Sequence, residues 1–330
     1  MIAPQKPKAL ALISGGLDSI LAARLVKDEG VEVTGVGFHS HFFGASAARK
    51  TARAIGVPFL TVDISAEMIG LLESPRYGFG RYLNPCVDCH RLMVAKAFEL
   101  MKARRADFVV TGEVLGQRPK SQHRDALNAV AKAGEKSLLL RPLSARLLDE
   151  TVPEKRGWVR RSRMLNISGR GRKEQLALAD SLGITEFTSP AGGCLLTDPE
   201  FSRRLKDLSD REGLRGDNIE LLKIGRHFHT PAGTRIVSGR NEKENIALEE
   251  LAAGGDRFFQ ALHPASLVLL KAGAVPEKND IALAASICAR YSKGEGGPME
   301  IRVWQKGEAV KDKTIIASPI NHVKLEELRI

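Results

Sequence analysis

Short apolar runs alternate with amphipathic stretches along the first half of the chain. Residues 8–13, 31–38, 58–64 and 107–111 form apolar runs of strand length. A helix is predicted after the first run, and further helices over residues 45–55, 91–105 and 174–182. Strands that alternate with helices predict an α/β fold, in which a parallel sheet carries helices on both faces. Such sheets bind ligands beyond the C-terminal ends of their strands.

The last third of the chain has a different pattern, with the segments LKIGRHFH and TRIVSGR and an Asn/Glu-rich helix start at residues 241–245. We therefore predict an α/β domain over residues 1–214 and a smaller α+β domain over residues 215–330.

The net charge of +11 over 330 residues favours an anionic partner such as nucleic acid. No apolar stretch reaches membrane-spanning length, so we predict no membrane partner. No apolar signal core precedes the first strand, which predicts a cytoplasmic location. In a cytoplasmic chain with four cysteines, a Cys-x-x-Cys pair is more often a metal or redox site than a disulfide.

The motif SGGLDS at residues 14–19 lies between the first predicted strand and helix. Two glycines let the backbone approach an anion, and the helix N-terminus presents unpaired N–H groups. The motif lacks the lysine of a Walker A loop and the third glycine of a dinucleotide fingerprint. It predicts a phosphate site, and the alternative is a glycine-rich turn whose Asp18 caps the helix.

Three cysteines are predicted to lie in loops: Cys86 and Cys89 in the segment NPCVDCH, and Cys194 in a Gly-Gly-Cys loop. They suit a 4Fe–4S cluster with one open iron, a zinc site that recruits His90, or a metal-free persulfide relay. Cys288 lies in an apolar helical stretch and is predicted to be a small buried residue.

Residues 155–173 carry eight basic residues and no acidic one. Their arginines suit RNA phosphates, and the tryptophan suits stacking on a base, although most charge runs are simply solvated faces. The predicted RNA-binding side chains are Arg156, Trp158, Arg160, Arg161, Arg170, Arg172 and Lys173.

Several motifs together carry a family resemblance. SGGLDS resembles the loop of the ATP pyrophosphatase family. With NPCVDCH, TGEVLGQ (residues 111–117), LRPL (residues 140–143) and the Gly-Gly-Cys loop, residues 8–200 resemble the tRNA thiouridine synthetases. TGEVLGQ is most similar to the 4-thiouridine branch, and the Asn-Pro-Cys and Gly-Gly-Cys segments to the 2-thiouridylases. The C-terminal region resembles the NFACT-R module, which is associated with RNA, and no stretch resembles a THUMP or rhodanese-like domain.

This resemblance implies an adenine-nucleotide α-hydrolase-like fold and an ATP-dependent tRNA sulfurtransferase. The enzyme would adenylate a uridine carbonyl with ATP and Mg²⁺ and replace the oxygen with sulfur, giving 4-thiouridine. Its partners would be tRNA and a sulfur donor, either sulfide or a persulfide carrier. The rivals are sulfur insertion or amidation on a small molecule, and a non-catalytic RNA-binding protein.

The site residues implied by the resemblance fall into three groups. The catalytic residues are Asp18, Cys86 and Cys194, and the cluster ligands are Cys86, Cys89 and Cys194. The ATP-binding residues are Ser14, Gly15, Gly16, Leu17, Asp18, Ser19, His39, Gly112 and Gln117. Three further residues come after the predicted strand at residues 107–111 and are expected to face the nucleotide or the acceptor base: Arg118, Lys120 and Gln122.

Overall fold

The computed structural model describes residues 6–188, 193–262, 266–272, 278–292, 297–308 and 313–330. The chain divides into two compact units, Met1–Pro199 and Glu200–Ile330. Within the described ranges, no helix is long and apolar enough to span a bilayer.

The first unit is built on a parallel sheet with the strand order β3-β2-β1-β4-β5. Its strands are β1 (Lys8–Leu12), β2 (Glu32–His39), β3 (Phe59–Asp63), β4 (Phe108–Val110) and β5 (Leu139–Leu140). The sequence-based prediction of an α/β fold with a parallel sheet is therefore confirmed. The order reverses direction between β1 and β4, which is where such sheets bind ligands.

The helices of the first unit cover both faces of this sheet. They are α1 (Leu17–Asp28), α2 (Ser46–Ala54), α3 (Ser65–Glu73), α4 (Cys86–Ala103), α5 (Arg124–Ala131), α6 (Val152–Lys155) and α7 (Lys173–Ser181). Apolar residues of α1, among them Leu21 and Ala23, are fully buried against β1 and β2, so the start of α1 is held firmly at the sheet edge.

Helix α4 begins at Cys86, whereas the sequence pattern predicted a start at residue 91. The prediction that Cys86 and Cys89 lie in a loop is therefore wrong, because both belong to the first helical turn. Pro85 precedes that turn, and its carbonyl oxygen already accepts the Cys89 N–H over 2.9 Å. A proline fits the start of a helix because it has no N–H to satisfy there.

The second unit is an antiparallel sheet with helices, which confirms the predicted α+β class. Its strands are β6 (Arg226–His229), β7 (Arg235–Ser238), β8 (Arg257–Ala261), β9 (Val268–Leu270), β10 (Met299–Gln305) and β11 (Lys313–Ala317), in the order β11-β10-β8-β9-β7-β6. Its helices are α8 (Pro199–Arg211), α9 (Gly216–Leu221), α10 (Glu242–Leu251), α11 (Lys278–Tyr291) and α12 (His322–Glu327). Cys288 in α11 is 0% exposed, as predicted.

The division between the two units lies after residue 199, not after residue 214 as the sequence suggested. An ion pair links α8 to the second unit. Arg235 of β7 is buried, and it donates to Asp207 of α8 over 3.0 Å and to Glu212 over 2.7 Å. Helix α8 therefore belongs to the second unit, although its sequence carries no signal for that pairing.

Candidate active site

The motif SGGLDS forms a tight loop between the C-terminal end of β1 and the start of α1. The Ser14 N–H donates to Ser19 Oγ over 3.2 Å, and Ser19 Oγ donates to the Gly16 carbonyl oxygen over 2.8 Å. Gly15 has a φ of +87°, and a Cβ there would lie 2.8 Å from Cβ of Ala47. Only glycine fits this position, which leaves the loop backbone and the helix N-terminus directed at a bound anion.

A second glycine closes the loop from the neighbouring strand. Gly112 follows β4, and a Cβ on it would lie 2.5 Å from the Ser19 nitrogen and 2.6 Å from the Asp18 carbonyl carbon. The structure therefore places Gly112 directly against the phosphate loop. Leu17 is 1% exposed in the core, so only its backbone is available to a nucleotide.

Asp18 is the acidic residue of the loop, and its Oδ1 is buried without a hydrogen-bond partner. Burial raises the pKa of this carboxyl, although hydrogen bonds from Gln117 and Gln175 and the charges of Arg172 and Arg118 act in the opposite direction. A buried carboxylate oxygen with no partner suits Mg²⁺, which is often held by one or two carboxylates and the substrate's phosphates.

Gln175 is a site residue that the sequence analysis missed. It lies on α7 and is 0% exposed. Its amide faces the Asp18 carboxyl. The predicted helix over residues 174–182 was correct, but nothing in the sequence indicates that this helix faces the loop.

His39 lies at the end of β2, on the sheet edge that carries the phosphate loop. Its Nδ1 is 3.7 Å from Oδ1 of Asp63 at the end of β3, and its side chain is 41% exposed. An exposed imidazole at this edge is compatible with the predicted role at the nucleotide, which stays a prediction.

The thiols of Cys86, Cys89 and Cys194 lie close enough to influence one another. Burial raises the pKa of Cys89, and the thiols of Cys194 and Cys86 raise it further. Burial likewise raises the pKa of Cys194 to about 11. The side-chain amide of Asn84 donates to Cys86 Sγ over 3.1 Å. The structure thus brings together the three cysteines that the sequence singled out, as free thiols.

These thiols do not form a metal site as they are arranged. Among the described residues, no three or more His, Cys, Asp or Glu side chains are gathered closely enough to hold a metal ion. In this arrangement the three thiols therefore do not fit the predicted 4Fe–4S cluster. Together with His90, they do not fit a zinc ion either. Residues 190–192 of the Gly-Gly-Cys loop lie outside the described residues.

The segment that leads to Cys194 is attached to the phosphate loop. Thr188 donates its N–H and its hydroxyl to the Gly15 carbonyl oxygen over 3.0 and 3.1 Å. After the cysteine, the Leu195 N–H donates to the Phe42 carbonyl oxygen over 2.9 Å. Burial raises the pKa of both Asp18 and Cys194, and the positive charge of Arg118 opposes that rise at both groups. The phosphate loop and the thiols therefore form one site.

A buried ion pair supports the same region. Glu113 accepts from Nε of Arg141 over 2.8 Å and from Thr111 Oγ1 over 3.1 Å, and its other oxygen lies 3.1 Å from Nδ1 of His90. Burial alone would raise the pKa of Glu113, but Arg141 and His90 outweigh it and hold the pKa at about 2. The Glu113 carboxylate thus joins the ends of β4 and β5, through Arg141, to the first turns of α4, through His90.

Both units of the chain are similar in sequence to known proteins. Residues 7–156 match the family model of the tRNA methyl transferase HUP domain, and residues 225–329 match that of the NFACT protein RNA binding domain. The tRNA-specific 2-thiouridylase MnmA of Agrobacterium fabrum is 24% identical over 290 residues, which are 78% of this chain and 69% of that protein. The chain is thus similar to the tRNA-specific 2-thiouridylases.

One further relative and one solved structure are also similar to this chain. The tRNA-specific 2-thiouridylase MnmA of Symbiobacterium thermophilum is 26% identical over 260 residues, which are 70% of this chain and 64% of that protein. The chain thus spans about two thirds of the length of these relatives. A crystal structure of a 4-thiouridine synthetase–RNA complex with bound ATP is 18% identical, covers 66% of this chain and 52% of its own, and has a TM-score of 0.39.

In this chain, part of the basic segment stabilises the fold. Trp158 stacks on Phe108 with ring centroids 5.9 Å apart, and the guanidinium of Arg156 lies 5.1 Å from the Trp158 ring. The indole also packs against the core of the first unit. Trp158 is half-buried and packs within the first unit, and its predicted role in stacking on a base stays a prediction.

Two predicted RNA-binding arginines have protein partners instead. Arg160 donates through Nε and Nη2 to the Glu29 carboxylate over 2.9 and 3.0 Å. Arg161 donates to Glu154, whose side chain is fully buried, and to the Leu148 carbonyl oxygen. Their structural role differs from the predicted one, because these carboxylates already neutralise their charges.

Proposed function

We propose that this protein is an ATP-dependent tRNA sulfurtransferase, which adenylates a uridine carbonyl and replaces its oxygen with sulfur. The observation that carries this proposal is the attachment of the Cys194 segment to the phosphate loop through Thr188 and Gly15. ATP chemistry and thiol chemistry can therefore act on one carbonyl group of the substrate. The relatives named tRNA-specific 2-thiouridylases and the RNA-binding domain model support tRNA as that substrate.

The first step is activation of the carbonyl. A uridine oxygen is a poor leaving group, so it attacks the α-phosphate of ATP, and pyrophosphate leaves. The loop backbone and the N-terminus of α1 hold the departing phosphates. Asp18 would hold Mg²⁺, which supplies charge neutralisation when bound. The buried setting strengthens these interactions because little water competes with them.

The second step is sulfur transfer, for which the structure favours a persulfide relay. A donor leaves one sulfur on Cys194 as a persulfide, whose terminal sulfur attacks the activated carbon and expels AMP. The thiol of Cys86 or Cys89 then attacks Cys194 Sγ. This attack releases the thiocarbonyl product and leaves a disulfide, which a thiol reductant returns to two thiols. The proximity of the three thiols supports this route.

The 4Fe–4S cluster predicted from the resemblance is the competing form of sulfur delivery. Cys86, Cys89 and Cys194 would be its ligands, and closer approach of the three thiols would be needed to bind it. Anaerobic purification followed by iron and sulfide counting distinguishes the two forms. Activity without iron supports the relay, and stoichiometric iron and sulfide in every active preparation supports the cluster.

Nucleoside analysis of tRNA incubated with the protein, ATP and a sulfur donor tests the activity itself. The TGEVLGQ motif leads us to expect 4-thiouridine, whereas the names of the relatives point to 2-thiouridine. Under the relay, Cys194→Ser and a Ser change at one of positions 86 and 89 should abolish thiolation, whereas under the cluster all three single changes should. Cys288→Ser should retain thiolation under both, since Cys288 is buried in the second unit. AMP formation that yields a thiolated small molecule and no thiouridine would instead favour the small-molecule rival.

A further inference from the structure

The basic segment over residues 155–173 is divided between two ends of the first unit. Arg160 and Arg163 pair with Glu29, which directly follows the last residue of α1. Helix α1, twelve residues and about 18 Å long, begins in the phosphate loop and ends just before Glu29. Trp158 packs on Phe108, the first residue of β4. Residues 156–163 therefore lie at the edge of the sheet opposite to the phosphate loop.

The second half of the segment returns to the site edge. Ser168 forms an isolated β-bridge with Leu115, and the Gly169 N–H donates to the Leu115 carbonyl oxygen over 2.8 Å. A Cβ on Gly116 would lie 3.4 Å from the Gly169 nitrogen. Residues 168–173 therefore run beside the loop that follows β4 and contains Gln117.

These two adjacent strips present five cations, which we call the basic rim: Arg118, Lys120, Arg170, Arg172 and Lys173. Within the described part of the chain, none of the five forms a salt bridge with a carboxylate, in contrast to Arg160, Arg161 and Arg163. Arg172 Nε is buried without a hydrogen-bond partner, and both Arg172 and Arg118 act on the Asp18 carboxylate. The rim therefore leads from solvent to the phosphate loop, and in the described residues no carboxylate forms a salt bridge with it.

We propose that backbone phosphates of the acceptor RNA bind along the basic rim, and that residues 156–163 do not contact the RNA. This inference rests on the proposed function, because it states where the RNA reaches the activating loop. Unpaired cations beside a catalytic loop attract a polyanion and release its counterions on contact. Arginine adds a planar fork that matches phosphate oxygens. A target uridine that approaches along the rim would be directed to Asp18 and Cys194.

The test compares two double variants that each remove two exposed positive charges from the same segment. Arg170→Gln with Lys173→Gln changes the rim, and Arg156→Gln with Arg163→Gln changes the opposite edge. The affinity of each full-length protein for tRNA is measured over a range of salt concentrations. We expect the salt slope of the rim variant to decrease by roughly 0.7–0.9 for each lost phosphate contact. The control variant should keep the wild-type slope.

The outcomes separate this proposal from the proposed function. Equal slope changes in both variants, or a wild-type slope in the rim variant, would overturn the rim. A loss of ATP affinity in the rim variant, measured without RNA and with an unchanged tRNA slope, would assign the rim to ATP phosphates and overturn it as well. A wild-type protein that binds tRNA through the rim but forms no thiouridine would instead contradict the proposed function.

Discussion

Thr188 donates both its backbone N–H and its hydroxyl to the carbonyl oxygen of Gly15, over 3.0 and 3.1 Å. A parallel β-bridge between Thr188 and Gly16 adds to this contact. The two residues are 173 positions apart, so one hydroxyl couples the phosphate loop to a distant segment that ends in a thiol.

Removal of this hydroxyl should slow sulfur transfer more than activation. In Thr188→Val the backbone bond remains, and one neutral hydrogen bond worth about 1 kcal/mol is lost. We expect thiolation to fall roughly fivefold, with a smaller effect on pyrophosphate release from ATP. Thr188→Ser keeps the hydroxyl and serves as the control. A Thr188→Val protein that thiolates at the wild-type rate would show that the contact has no role in catalysis.

Gly112→Ala should displace the start of α1. The new methyl group would lie 2.5 Å from the Ser19 nitrogen, and backbone atoms cannot yield as a flexible side chain would. We expect AMP formation to be lost and the free energy of unfolding to fall by about 1–3 kcal/mol. The matched control is Gly70→Ala in the interior of α3, where no atom lies within 4 Å. That change should raise stability by about 0.5–1 kcal/mol. Equal results for both variants in urea unfolding would refute the steric argument.

Asp18→Asn should abolish activity and increase the stability of the fold. Burial raises the pKa of Asp18, so the folded state disfavours the ionised carboxylate relative to the unfolded chain. This penalty is present above the raised pKa and disappears as the pH falls below the unfolded value of 3.8. We expect Asp18→Asn to abolish AMP formation and to raise the free energy of unfolding at pH 7, but not at pH 3. Chemical unfolding at both pH values measures the difference, and a destabilised variant at pH 7 would contradict the prediction.

The second unit should lose stability in mild acid because of His227. This side chain is 2% exposed, its Nε2 donates to the Ile224 carbonyl oxygen, and its Nδ1 has no partner. Burial and the charges of Arg204 and Arg235 lower its pKa from 6.5 to about 3. Between these values the unfolded chain binds a proton that the folded chain does not, so stability rises with pH over this range.

A His227→Gln variant checks this pH dependence. Its free energy of unfolding should fall less steeply than that of the wild type between pH 6.5 and 4.5, by at most about 1.4 kcal/mol per pH unit. His229, whose pKa burial also lowers, adds a slope of the same sign and remains in both proteins. The exposed His322 of α12 provides the control His322→Gln, which should leave the wild-type slope unchanged. Parallel curves for wild type and His227→Gln would exclude this histidine as the cause.

The sequence predicted those features that depend on neighbouring residues. The strands of the first unit follow from apolar runs, and Gly15 follows from a motif whose geometry only glycine allows. The three site cysteines were also identified, although the position of Pro85 at the start of α4 was not recognised. Which arginines form salt bridges within the protein was not predictable, because Arg160 and its partner Glu29 are 131 positions apart. The neighbouring sequence does not distinguish Arg160 from Arg170, which has no carboxylate partner among the described residues.

The hydrogen bonds between Thr188 and Gly15 also have a thermodynamic consequence. If bound ATP changes the reactivity of Cys194 by altering the loop that Thr188 contacts, then modification of Cys194 must change the affinity for ATP by the same factor. Alkylation rates of Cys194 with and without ATP, compared with ATP affinities before and after alkylation, would give two independent values of one coupling energy. Such reciprocity would let the nucleotide determine when the thiol reacts, so that sulfur is released only onto an activated base.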